Sequence, residues 1–158
     1  MTRRSYTTPS ASLPASAQWL GLAGLLPQIL LAAVRVSGPA ELDGLAVGLG
    51  LSYSALILSF VGGIWWGIAA RSDPPVATWI WWAAIAPSLI AFGAIGAVLT
   101  GYSPQPSLIL IGASLIAALG VDYALVRSGL CPHGWLRLRL PLAIGLGGLT
   151  MLLAALSQ

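Results

Sequence analysis

The run Leu58–Gly67, L-S-F-V-G-G-I-W-W-G, decides the fold. It closes a stretch between Asp43 and Arg71 that holds no charged residue. A helix over that stretch exceeds the ~20 apolar residues needed to cross a ~30 Å hydrocarbon core. Within it Ala55, Ser59, Gly63 and Gly67 recur at every fourth residue and share one helical face, with Gly62 beside them. Such small side chains let a second helix backbone approach closely, which is how helices associate where lipid is the solvent. That face is a helix-packing or partner surface. It is no phosphate-binding loop, because it follows no strand pattern and carries no Lys.

Working outward, composition extends this reading to the whole chain. Of 158 residues, 58% are hydrophobic and 7% charged, with a mean hydropathy of +0.90. Ordinary soluble domains carry about 25% charged residues. Five apolar segments follow one another at Ala17–Val36, Gly44–Ala70, Val76–Leu99, Pro106–Val126 and Arg137–Leu156. No charge lies between Asp73 and Asp122, and the turn Thr100–Pro106 breaks that run into a hairpin of two helices. Pro27, Pro87 and Pro141 fall within segments and predict bends. The expected architecture is an all-α integral membrane protein whose five transmembrane helices form one domain over residues 17–158. Residues 1–16, rich in Ser, Thr and Pro and containing Arg3-Arg4, read as a polar, disordered cytoplasmic tail before a first helix that is retained.

Charge sets the orientation. The chain has seven Arg, no Lys and four acids, for a net charge of +3. With the N-terminus inside, Arg3, Arg4, Arg71, Arg127, Arg137 and Arg139 lie on the inner side and only Arg35 on the outer. The positive-inside rule then places the N-terminus in the cytoplasm and the C-terminus in the periplasm of a bacterial inner membrane. This basic excess belongs to loops and membrane lipids rather than to a nucleic-acid partner. All seven Trp fall toward the same inner face. They form a lopsided anchoring belt or, in the sharper reading, an aromatic crown. Trp65, Trp66, Trp82, Arg137 and Arg139 are then the candidate site for a lipid headgroup or a quinone.

Asp122 is the one acid inside a span, and intramembrane ionisable groups are functional candidates with a partner to be named. Arg127 is the nearest cation in sequence, and Arg71, Arg137 and Arg139 are further choices. A structural ion pair, Asp122 with Arg127, is the expected arrangement. Cys131-Pro132-His133 offers one thiol and one imidazole, too few ligands for a metal. His133 is the sole histidine, which leaves any Ser nucleophile one possible base. The lone Cys131 also excludes an internal disulfide. Neither a catalytic set nor a metal site is expected.

Four stretches together resemble a known family: Trp19–Pro27, Tyr53–Gly67, Ala86-Pro87-Ser88 and Trp135–Leu140. They resemble small bacterial membrane proteins related to eukaryotic transmembrane protein 69, a domain of unknown function. The resemblance covers nearly everything after the polar tail and implies five helices without a soluble domain. It also implies a polar or basic residue near position 65, where this chain carries Trp65. No catalytic or binding residues come with it. The function expected first is a non-catalytic accessory or structural subunit packed against a larger respiratory or photosynthetic membrane complex. A binder or carrier of a quinone or lipid at the cytoplasmic leaflet comes second, without any other cofactor, and a small oligomeric transporter third.

Overall fold

The computed structural model describes residues 14–73 and 75–157, all helix or connection, with no strand among them. Among the described residues six helices follow in order: α1 (Ala15–Ala23), α2 (Leu26–Ser37), α3 (Asp43–Ala70), α4 (Thr78–Leu99), α5 (Pro104–Arg127) and α6 (Trp135–Leu156), with a short 3-10 turn at Ala40–Leu42. Counting α1 and α2 as one span, five helical stretches are long and apolar enough to cross a membrane. Their ends fall within two residues of those expected from the sequence. The expected tail lies outside the described residues through position 13, and α1 begins at Ala15.

The first span is broken rather than bent. Pro27 has no N–H, and its ring crowds the carbonyl four residues earlier, which kinks or breaks a helix. Here the helix breaks at Gly24-Leu25, whereas Pro87 and Pro141 are accommodated inside α4 and α6. The chain closes α1 with tight turns, the Gly24 and Leu25 amides donating to Gly21 and Leu22. A side chain at Gly24 would meet the Gly21 carbonyl oxygen at 2.9 Å, so this turn requires glycine. The Gly24 carbonyl freed by the break accepts a hydrogen bond from the Tyr53 hydroxyl of α3.

At 1.5 Å per residue α3 is about 42 Å long, longer than the hydrocarbon core, and it packs on α2, α4, α5 and α6. Its crossing with α4 closes at Gly62, where an added Cβ would come within 2.4 Å of the Ala84 carbonyl oxygen and 3.2 Å of the Pro87 ring. The Ser59 and Ser88 hydroxyls meet at 2.8 Å along the same crossing. The α5–α6 hairpin closes on Gly112 and Gly147, each with the other's carbonyl oxygen within 2.9 Å of where its Cβ would stand. Here the structure differs from the expected seam. Ala55 is buried and Ser59 partly so, but Gly63 and Gly67 face outward with nothing within 4 Å of a built Cβ. Four-residue spacing on a straight helix drifts by about 40° per step, so a row of four cannot stay on one neighbour.

Among the described residues, two polar clusters interrupt the apolar interior, beside the lone Ser107 hydroxyl that donates to the Ala94 carbonyl. One joins Gln28, Ser54 and Thr150, all fully buried, with Ser54 and Thr150 2.7 Å apart and the Gln28 amide donating to Thr150 at 3.3 Å. The other lies toward the opposite end of the bundle and centres on Asp122. At the α2–α3 corner Arg35 pairs with Asp43 at 3.1 Å and also donates to the Leu156 carbonyl, tying the end of α6 to that corner.

Candidate functional site

The helical period places Asp122 inside. Leu115, Ala118, Asp122 and Leu125 follow at intervals of three and four, and all are buried on the core face of α5. With no exposed surface, the carboxylate must find its donors within the protein. Three converge on it. Trp65 of α3 donates its indole N–H to Oδ1 at 2.9 Å, and Trp135 of α6 donates to the same oxygen at 3.1 Å. Arg139, itself only 7% exposed, donates from Nε to Oδ2 at 2.7 Å and makes a salt bridge. Trp135 and Arg139 stand four residues apart on one face of α6, so a single helix surface delivers both. A charge-assisted bond and two indole donors compensate the carboxylate where bulk water is absent.

Arg139 has a second role. It is the one polar side chain among the described residues lining a cavity of about 210 Å³ between α1, α3, α5 and α6. Leu25, Val61, Leu142 and Leu146 supply much of the apolar wall. Leu20 and Phe60 also line it and are themselves exposed on the outer surface, so the cavity reaches the lipid side of the bundle there. Arg139 Nη2 is buried, and no acceptor among the described residues lies within hydrogen-bond distance of it. A buried N–H without an acceptor costs about 1–3 kcal/mol, more on a charged group.

Residues 13–156 match the family described as "Protein of unknown function (DUF3429)". The chain belongs to the DUF3429 family. No curated protein and no solved structure matches it. The site of this DUF3429 protein therefore rests on its own geometry.

The residues expected from the sequence divide between that site and the surface. The partner of Asp122 is Arg139, and the expected pairing with Arg127 is corrected. Five residues along a helix turn a side chain through about 140°, so Asp122 and Arg127 cannot share a face. Arg127 is exposed, its guanidinium 5.9 Å from the Tyr123 ring centroid. The crown also splits. Trp65 and Arg139 are buried around Asp122, whereas Trp66, Trp82 and Arg137 are exposed, Trp66 meeting Trp81 edge-on at 4.9 Å. Trp65 has a polar role after all, through its N–H. The part played by Trp135 was not anticipated, although its four-residue spacing to Arg139 was a usable signal.

The loop joining α5 to α6 carries the chain's single thiol. Burial, with a smaller contribution from the Asp122 charge, pushes Cys131 up to about 11, so it stays a protonated, weakly reactive thiol at neutral pH. His133 nearby is exposed. Among the described residues no three His, Cys, Asp or Glu side chains gather as metal ligands.

Proposed function

We propose that this DUF3429 protein holds a small lipophilic molecule drawn from the bilayer, without catalysing a reaction on it. In this reading it is a multi-pass protein of the bacterial inner membrane, N-terminus cytoplasmic and C-terminus periplasmic. The observation that carries the reading is the Arg139 cavity: an apolar chamber that reaches the lipid side and has one buried arginine among its lining residues. Such chambers with few polar anchors are the usual form of small-molecule sites. Arg71, Arg127, Arg137 and Arg139 at one end of the bundle against Arg35 at the other support the orientation. The test is extraction of the full chain from native membranes in mild detergent, followed by mass spectrometry of everything retained. A stoichiometric lipophile that is lost in Ala143→Leu, which narrows the cavity without touching the ion pair, supports the reading. Identical bound lipids in both proteins overturn it.

The accessory-subunit reading stands second and is favoured by Gly63 and Gly67, whose outward positions leave a second helix backbone free to approach. Larger membrane subunits copurifying in the same extraction, and lost in Gly63→Leu, would put it first.

A further inference from the structure

At the end of α3 the surface opens into a second cleft, which shares no lining residue with the Arg139 cavity. We infer that this cleft seats one anionic phospholipid, its phosphate on Arg71 and the start of an acyl chain along Ile64 and Ile68. The inference goes beyond the lipophile reading of the Arg139 cavity and does not depend on it.

Shape is the first observation. The cleft measures about 550 Å³ and lies between the last turns of α3 and Leu130, in the loop that joins α5 to α6. Ile64, Gly67, Ile68 and Arg71 line it at intervals of three and four, so they form one stripe along the helix. From Ile64 to Arg71 that stripe runs about 10 Å along the axis. A side chain built on Gly67 would meet nothing within 4 Å, so the glycine leaves the cleft open at its middle.

The order of chemistry along the stripe is the second. Ile64 and Ile68 are half-buried on the membrane-spanning part of α3, and Arg71 caps the helix end and is exposed. The lining thus passes from hydrocarbon to guanidinium, as a phospholipid passes from acyl chain to phosphate. Ser72 also lines the cleft, but its hydroxyl donates to the Ile68 carbonyl at 2.8 Å. Arg71 is therefore the side chain in the lining that has donors to offer, in a fork that suits phosphate oxygens.

Charge is the third. Arg71 makes no salt bridge among the described residues, where the pairs are Arg35 with Asp43 and Arg139 with Asp122. Arg127 and Arg137 are exposed at the same end of the bundle, and among the described residues Asp73 is the one exposed acid there. Three arginines against one carboxylate attract a head of net negative charge and disfavour the ammonium of a zwitterionic lipid.

The experiment uses the purified full chain in detergent, with native mass spectrometry counting what stays bound. The probes are phosphatidylglycerol and phosphatidylethanolamine with the same palmitoyl and oleoyl chains, and glycerol 3-phosphate as a head without chains. The expected result is one phosphatidylglycerol held about tenfold more tightly than phosphatidylethanolamine, with glycerol phosphate not retained. Arg71→Gln, at an exposed position outside any salt bridge, should weaken phosphatidylglycerol about tenfold, the equivalent of one charge-assisted hydrogen bond. Gly67→Leu fills the cleft and should displace both lipids. Arg127→Gln, outside the cleft, should change phosphatidylglycerol binding by less than about twofold, as a screened surface charge does. Ala143→Leu, in the Arg139 cavity, should leave it unchanged. Equal binding of the two lipids, or equal losses in Arg71→Gln and Arg127→Gln, means attraction by surface charge alone and overturns the inference. Glycerol phosphate retained as well as the lipid overturns the bilayer as the source. Gly67→Leu shedding a larger subunit, with its phosphatidylglycerol unchanged, overturns it in favour of a partner helix.

Discussion

A carboxylate sealed from water depends on its donors, and Asp122 has three of them among the described residues. Removing that charge strands the Arg139 guanidinium. Asp122→Leu should therefore destabilise the protein by about 3–5 kcal/mol in detergent unfolding followed by Trp fluorescence. The double replacement Asp122→Leu with Arg139→Leu should recover most of the loss, because no lone buried charge remains. Cys131 gives a second prediction. With its titration moved up to about 11, the thiolate is scarce at pH 8, and iodoacetamide should label it about a hundredfold more slowly than an ordinary exposed thiol. Labelling should accelerate as pH rises toward 11, or on unfolding in SDS at pH 8. At this scale the sequence was half legible. A charge within an apolar span stands out, so Asp122 and Arg139 were visible singly. Which indole serves Asp122 was not, since Trp65 and Trp66 are neighbours about 100° apart on α3, and only the helix's rotation in the bundle decides between them.

At the scale of elements, stability depends on how closely backbones cross. Gly62 meets the Ala84 carbonyl oxygen, and Gly147 meets the Gly112 carbonyl oxygen and Ile116, at distances that no Cβ can occupy without backbone movement. Gly62→Ala and Gly147→Ala should each cost about 1–3 kcal/mol by overpacking, whereas Gly63→Ala and Gly148→Ala, which meet nothing within 4 Å, should be neutral or slightly stabilising through helix propensity. Thermal unfolding of the four variants side by side checks this. Hydropathy and turn residues located the helices to within two residues, because lipid forces every spanning backbone to satisfy itself. They did not separate the inward glycine from the outward one in the Gly62-Gly63 pair. Nor did they select Gly112 over Ala113, Ala117 and Gly120, which face outward. An apolar helix in lipid has little polar face to betray its rotation.

At the scale of the whole molecule, the cavity and the charge cluster are products of tertiary arrangement. Residues from both ends of the chain, Leu20 and Leu146, line one chamber, and no local pattern announces that meeting. Arginine distribution was legible, because loop charge survives without tertiary context. It predicts that a C-terminal alkaline phosphatase fusion is active and a C-terminal green fluorescent protein fusion dark in bacterial cells. The opposite pair of results would overturn the proposed orientation.

The Asp122–Arg139 bond also bears on how the protein is made. Its partners sit on successive helices joined by a short loop, so synthesis separates them by only 17 residues. A charge entering the bilayer alone meets an insertion penalty of about 2.5–3.5 kcal/mol at a helix centre. The penalty is smaller for Asp122 and Arg139, which lie within five residues of a helix end. When α5 waits at the insertion machinery for α6, the hairpin passes into lipid already neutralised. A nascent chain truncated after Gly134 is thus expected to leave α5 less completely inserted than the same chain extended through α6, as read by glycosylation mapping in microsomes.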